Sequence, residues 1–187
     1  MVKDGEWLSQ TKYDGHFAVI IKEDDKISVM SRHAKPLPVS KPLMDELNYT
    51  QQFVPNGTCI HGEWTSRRES NKVESLYLFS VVYHNFEWLG QLGEEDRWKR
   101  LEIVKQTDKI FVVDSKITNY ADHYRSTVGD MKTEGIVLKK RDSKLYGDLK
   151  TPKDNAHFLK LKWREGADGM TRSIVSDDKL VCVSEGL

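Results

Sequence analysis

The sequence predicts an α+β fold with largely antiparallel sheets, and three observations carry that reading. Short β-rich runs outnumber helical ones, they fall into hairpins, and no internal repeat or low-complexity segment breaks the pattern. A chain of 187 residues makes one domain, or one domain with a short appendage, and its hydrophobic fraction of 38% is enough for a core.

The elements follow in order. Trp7 to Thr11 is a short strand-like run that ends at Lys12-Tyr13-Asp14-Gly15. Phe17 to Ile21 and Ile27 to Met30 read as a hairpin, joined by the polar turn Glu23-Asp24-Asp25-Lys26. Ser31-Arg32-His33-Ala34-Lys35 then leads into a loop marked by Pro36 and Pro38. A short helix follows, with Ser40 as its cap, Pro42 in its first turn and Leu43, Met44 and Leu47 as its apolar side. Pro55-Asn56-Gly57 is a turn before the strand Thr58 to Trp64, which carries His61-Gly62-Glu63. A charged loop, Arg67 to Lys72, precedes the strong strand Leu76 to Tyr83.

Glu94 to Thr107 is the clearest helix. Trp98, Leu101 and Val104 recur every three residues, and Glu94, Glu95 and Asp96 occupy the first turn, where the helix dipole favours acids. Ile110 to Val113 reads as a buried strand, and Asn119 to Val128 as a second helix with Tyr120, Tyr124 and Val128 four apart. Gly135 to Lys140 and Phe158 to Trp163 are strands with charges at their ends, and Leu180 to Val183 is a further strand in the tail.

Composition narrows the function classes. No apolar run approaches the roughly 18 residues that a membrane span requires, and Met1-Val2-Lys3-Asp4 is no signal peptide. A cytoplasmic protein without a membrane partner is expected. Cys59 and Cys182 are far apart and lack metal-ligand spacing, so they read as half-buried strand residues of a reducing compartment. The six histidines show no H-E-x-x-H pairing, which argues against a zinc enzyme. The formal net charge is zero, but the charge is not evenly spread. Between Lys139 and Arg164 nine Lys or Arg stand against three Asp, an excess that suits a polyphosphate or nucleic-acid backbone as well as a solvated face.

The chemistry-bearing stretch is Lys12-Tyr13-Asp14-Gly15. A protonated lysine is a poor nucleophile, and burial or neighbouring cations make it a good one. On its own K-x-D-G is also an ordinary strand end followed by an Asp-Gly turn. Lys160-Leu161-Lys162 sets two ammonium groups on one strand face and its leucines on the other, as any amphipathic strand would.

Six islets at strand ends occur in a fixed order: Lys12-Tyr13-Asp14-Gly15, Ser31-Arg32, Gly62-Glu63, Phe79, Glu134-Gly135-Ile136-Val137-Leu138-Lys139 and Lys160-Leu161-Lys162. This order resembles the nucleotidyltransferase motifs of ATP-dependent polynucleotide ligases and mRNA capping enzymes, from about Lys12 to Trp163. The resemblance is to compact viral-type DNA ligases in particular, through Ser31-Arg32, the Glu94-to-Lys105 helix and Tyr146-Gly147. It implies two antiparallel sheets with flanking helices around an ATP groove, an ATP-grasp-like nucleotidyltransferase domain over residues 1–165. It also implies a three-step reaction, in which a lysine takes AMP from ATP, passes it to a 5′-phosphate, and a 3′-hydroxyl displaces it to seal the strand.

The same resemblance assigns roles. Lys12 would be the nucleophile, and Lys160 and Lys162 would favour its neutral amine and neutralise charge growing on the α-phosphate. Glu134 would bind Mg²⁺ or Mn²⁺, with Glu63 as a further metal or ribose ligand and Gly62 sparing space beside it. Lys139 would reach phosphate, Phe79 would stack on adenine, and Arg32 would contact ribose or the nucleic acid's 5′-phosphate. Asp14 would fix the turn and the orientation of the lysine. The expected partner is a nicked duplex, DNA before RNA, met by a monomer serving DNA repair or replication.

Three departures from the family pattern stand out. Phe17 occupies a position that is arginine in many DNA ligases. Phe79 is followed by Ser80 rather than aspartate. Only 25 residues follow Lys162, too few for the OB-fold domain that usually clamps the duplex, so 166–187 reads as a tail. Phe17 and the missing barrel lean toward an RNA ligase with the same lysyl-AMP chemistry. A capping guanylyltransferase and a non-catalytic nucleic-acid-binding relic are further alternatives.

Overall fold

The strand that carries Lys12 runs one residue past it, and ten further strands follow among the described residues. The computed structural model describes residues 2–66, 73–130, 132–145, 157–165 and 171–175. In chain order the first strands are β1 (Trp7–Tyr13), β2 (His16–Glu23) and β3 (Lys26–Ser31). Helix α1 (Lys41–Thr50) leads to β4 (Thr58–Thr65), β5 (Ser75–His84) and the short β6 (Glu87–Trp88). Helix α2 (Glu94–Lys99) precedes β7 (Ile110–Val112) and β8 (Ser115–Lys116), and α3 (Tyr120–Thr127) precedes β9 (Thr133–Lys140), β10 (Phe158–Glu165) and β11 (Thr171–Val175). The described residues divide into two units, one of 2–14, 114–130, 132–143, 157–165 and 171–175, the other of 15–66 and 73–113 with 144 and 145.

The first unit is a five-stranded antiparallel sheet in the order β11-β10-β9-β1-β8. Alternation sorts its side chains onto two faces. Trp7, Ile136, Leu138, Leu159, Leu161 and Trp163 gather with Tyr120 and Tyr124 of α3 into one apolar cluster. The tyrosines four apart on the helix therefore do what their spacing predicts, and Tyr120 also donates its hydroxyl to the Trp7 carbonyl at 2.8 Å. Val128 caps the helix instead of extending its apolar stripe, and it is exposed.

The second unit orders its strands β3-β2-β4-β5-β6, with β7 beside β5. The predicted hairpin is present, and both Asp24 and Asp25 hold positive φ (49° and 58°), as a tight two-residue turn between twisted strands requires. Ser40 caps α1 through a bond from the Leu43 amide to its hydroxyl, and Leu43 and Leu47 are fully buried beneath it. They join Ala18, Ile20, Ile60, Leu76, Leu78 and Val81 in the main core. Burying each large aliphatic side chain contributes about 1.5–3 kcal/mol.

Two elements differ from the sequence expectation. The helix expected over Glu94 to Thr107 is α-helical only to Lys99 and continues as a 3₁₀ turn, Arg100–Ile103, before Val104 turns extended. The Trp98, Leu101, Val104 repeat read as one α-helix is therefore divided among three conformations, with Trp98 in α2, Leu101 in the 3₁₀ turn and Val104 extended beyond it. The buried strand near Ile110 pairs with β5 in parallel, Leu76 opposite Ile110. A parallel neighbour needs a long crossover, and the stretch holding α2 supplies it. Strands β6, β8 and β11 are additions the sequence reading lacked. The charged loop Arg67 to Lys72, Tyr146-Gly147, Lys150, Lys153, Cys182 and the strand expected over Leu180 to Val183 lie outside the described residues.

Candidate nucleotide site

In the first unit, register places the expected residues in a grid. Lys12 of β1 and Lys162 of β10 both pair with Gly135 of β9. One step along, Gln10 and Lys160 flank Val137, and beyond them Leu8 and Phe158 flank Lys139. Residues abreast on neighbouring strands share a face, so Lys12, Lys139, Lys160 and Lys162 all project from the face opposite α3. The alternation expected for Lys-Leu-Lys holds, with Leu159 and Leu161 in the apolar cluster behind.

Glu134 reaches that face through an irregularity. Lys12 pairs with Gly135, but Tyr13 pairs with Thr133, so Glu134 is the extra residue of a β-bulge. In an unbroken strand Glu134 and Gly135 would point to opposite sides. Here Gly135 takes φ +135°, and a Cβ on it would lie 2.0 Å from the Leu161 carbonyl oxygen. Glycine is required twice over, for the backbone angle and for the approach of β10.

The result is a carboxylate between two ammonium groups. Glu134 Oε2 lies 2.6 Å from Lys12 Nζ and 2.8 Å from Lys162 Nζ, with all three side chains about one-fifth exposed (17%, 24% and 26%). Burial pushes the Glu134 carboxyl up, but its bonds with Lys12, Lys162 and Asp14 outweigh this and hold it at about 2. Asp14 thus touches the cluster through Glu134, and its backbone amide bonds the Lys132 carbonyl at 3.2 Å, a bond that any residue there would make. Lys12 was expected beside cations. It faces an anion first, with Lys162 on that anion's other side.

The remaining cations lie further along the grid. Lys139 is 8% exposed, with its Nζ 5.8 Å from the centre of the Phe158 ring. Lys160 is exposed, one step removed from the Lys12 row.

The second unit gathers the residues assigned to base and ribose. Phe17, His61 and Glu63 sit on the face of β2 and β4 opposite the core, and Phe79 joins them from β5. Phe79 falls where β5 bulges, since His61 pairs with Ser80 and Gly62 with Leu78. Alternation after the core residues Leu76 and Leu78 points Phe79 outward, beside the Phe17 ring (5.9 Å between centres) and the His61 ring (6.4 Å), and the bulge sets Ser80 opposite His61. His61 and Phe17 meet edge to face at 5.0 Å, a contact with no counterpart in the sequence reading. His61 had a signal, because it lies two residues from Glu63 on the same strand face. Gly62 serves differently from expectation. A Cβ there would come 2.9 Å from the Tyr77 carbonyl and press on Leu78, so glycine clears the strand pairing and core, not a ligand. Arg32 is exposed in the turn that ends β3.

Among the described residues no group of three or more His, Cys, Asp or Glu could hold a metal ion by itself. Mg²⁺ commonly takes one or two carboxylates and completes its shell with phosphate oxygens and water. Glu134 with Asp14 beside it supplies that minimal donor set, which fits an ion shared with bound phosphates.

No protein-family model matches the chain. A curated DNA ligase of Sulfolobus acidocaldarius is 25% identical over a match covering 72% of this chain and 27% of its own. Among solved structures, the ligase domain of M. tuberculosis LigD superposes with a TM-score of 0.66 at 18% identity, covering 84% of this chain and 54% of that one. A mycobacterial DNA ligase D complexed with ATP gives 0.63 at 16% identity, covering 81% of this chain and 52% of that one. The chain therefore spans about a quarter of the curated relative and about half of these structures.

Proposed function

We propose that this relative of the ATP-dependent DNA ligases, built on the fold of their nucleotidyltransferase domain, takes AMP from ATP onto Lys12 and passes it to nucleic acid. The observation that carries the reading is the pairing of Lys12 and Lys162 with the same glycine, with the Glu134 carboxylate between them. A lone lysine in a strand gains nothing from such an arrangement. A lysine that must meet a phosphate gains a second cation on the same row and an anion that holds both in place until the phosphate arrives.

The Lys12 amine attacks the α-phosphorus, an N–P bond forms, and the bond to pyrophosphate breaks. Lys162 meets the negative charge that grows on the α-phosphate oxygens, and Lys160 and Lys139 extend positive charge along the same face. A terminal 5′-phosphate then displaces Lys12 and takes the AMP, and a 3′-hydroxyl displaces AMP to join the strand. In the second unit Phe79 stacks on adenine, Glu63 holds the ribose hydroxyls, and Arg32 offers a guanidinium to phosphate or ribose. Glu134 would hold a divalent cation together with the phosphates, and that ion would supply charge neutralisation.

We take nicked duplex DNA as the substrate and the monomer as the active form. The second reading, an RNA ligase of the same chemistry, is favoured by Phe17 at the site where a cation would grip the nick. The test is incubation with α-labelled ATP and Mg²⁺, which should label wild type and leave Lys12→Ala unlabelled. A folded wild type that takes no label ends the proposal, and label from GTP alone would move the chain to the capping enzymes. Sealing assays on all-DNA, RNA-on-DNA and single-stranded RNA then assign the nucleic acid.

A further inference from the structure

Strand β1 is held from behind by one imidazole. His123 lies in the middle of α3, is 4% exposed, and packs where Ile136, Leu138 and Tyr124 form the apolar cluster. Its Nδ1 stands 2.7 Å from the Ser9 hydroxyl and its Nε2 3.1 Å from the Thr11 hydroxyl. Ser9 and Thr11 share the α3 face of β1, and Lys12 follows Thr11 onto the other face. A neutral imidazole has one donor and one acceptor, and a hydroxyl can answer either. Both ring nitrogens are thus satisfied by the two hydroxyls that bracket the strand segment leading into the bulge.

We propose that His123 is a positioning residue for Lys12: by tying Ser9 and Thr11 to α3 it holds β1 in the register that keeps Lys12 opposite Gly135 and within reach of Glu134. Packing alone does not require it, because an apolar side chain would suit the cluster better. The bulge makes register at this point costly to lose. A slip of one residue turns Lys12 to the α3 face and Thr11 to the site. The proposal rests on Lys12 being the nucleophile.

The surroundings make the tie sensitive to protons. The groups facing His123 from β1 are the two neutral hydroxyls, and β9 offers Ile136 and Leu138. On its own helix, Asp122 and Arg125 pair with each other at the exposed side, 2.6 Å apart. Burial lowers the readiness of the ring to protonate, Lys116 lowers it further, and Asp114 opposes them. The folded chain therefore binds the proton less readily than the unfolded chain. The contribution of the tie is complete above the ordinary histidine range and fades as pH falls through it.

The test compares wild type, His123→Phe and His123→Gln in the rate of lysyl-AMP formation against pH and ATP concentration. His123→Phe should lower the rate at saturating ATP about tenfold or more while KM for ATP changes less than about twofold. His123→Gln keeps a donor and an acceptor, so it should hold most of the neutral-pH rate and fall less steeply than wild type across the ordinary histidine range. Hydrogen exchange at the Thr11 and Lys12 amides should quicken in the Phe variant and stay near wild type in the Gln variant. Wild-type rate and pH profile in both variants, or an effect confined to KM, would overturn the proposal. If wild type itself takes no label, the lysyl-AMP reading falls, and unchanged exchange at Thr11 and Lys12 in the Phe variant would separately dispose of the positioning role.

Discussion

Lys12 and Lys162 stand opposite the same residue, Gly135, one from each neighbouring strand, and neither lysine has a Cβ between it and the other. The place a side chain would take at Gly135 is already filled by the Leu161 carbonyl oxygen of β10, and the Glu134 carboxylate bridges the two ammonium groups from one position earlier.

Gly135→Ala should disrupt both the row and the bulge. The added Cβ meets the Leu161 carbonyl oxygen at 2.0 Å, and φ of +135° is strained for any L side chain. A loss of about 3 kcal/mol in urea unfolding is expected, combining backbone strain with overpacking. An alanine variant as stable as wild type would show that β9 and β10 do not approach as described.

Glu134→Gln should uncouple stability from acid. Its carboxyl is held at about 2, below the ordinary glutamate value of 4.5, so the folded state binds the proton less readily than the unfolded one. The contribution is complete above about 4.5 and is lost as pH falls toward 2. Melting temperatures of wild type should drop more steeply across that window than those of the Gln variant. Parallel curves would mean that the two lysines do not engage the carboxylate in solution.

Phe17→Arg is expected to fold. The ring lies on the open face of the sheet, where its partners are the half-buried His61 and Phe79, so losing it should cost about 1 kcal/mol. Nick binding by gel shift at low salt should tighten, because a guanidinium replaces an apolar ring where phosphate is expected. A variant recovered only as aggregate would place Phe17 in the core.

Arg97 is fully buried with its guanidinium on the Glu94 carboxylate at 2.5 Å, and it also bonds the Leu92 carbonyl. Arg97→Ala should destabilise the chain by about 3–5 kcal/mol, since it strands a buried carboxylate. Replacing both partners, Arg97→Met with Glu94→Leu, should recover most of that loss in the same denaturant titration.

Burial pushes the Cys59 thiol up to about 11. In a Cys182→Ser background the remaining half-buried thiol should react with a disulfide reagent at pH 8 well below the rate of the unfolded chain, because little of it is thiolate. Rapid labelling of the native protein would contradict the burial of β4.

Sequence patterns carried much of this fold because local rules decided it. The Asp24-Asp25 turn, the Ser40 cap and the Tyr120–Tyr124 stripe each depend on neighbours a few residues away. What escaped depends on distant partners. Strands β6 and β8 are two residues long, too short for any periodicity to register, and exist because β5 and β1 offer edges. His123 carries no signal in its helix, and its meaning comes from Ser9 and Thr11 more than a hundred positions away. For the site, the alternation of Lys160 and Lys162 was readable from period two. Gly62 was not, because the atoms that demand a glycine there belong to another strand.

The bulge at Glu134 also changes how spacing should be counted in this chain. Glu134 and Lys139 are five positions apart, an odd interval, which in regular pleating assigns them to opposite sides. Both nevertheless serve the same side, since the extra residue converts the odd interval into an effectively even one. A parity filter applied to homologous strands would discard the acid and keep its neighbours Thr133 and Gly135. Deleting Glu134 itself would restore perfect alternation in β9, with Gly135 still opposite Lys12 and Thr133 opposite Tyr13, and would cost the sheet none of its pairs.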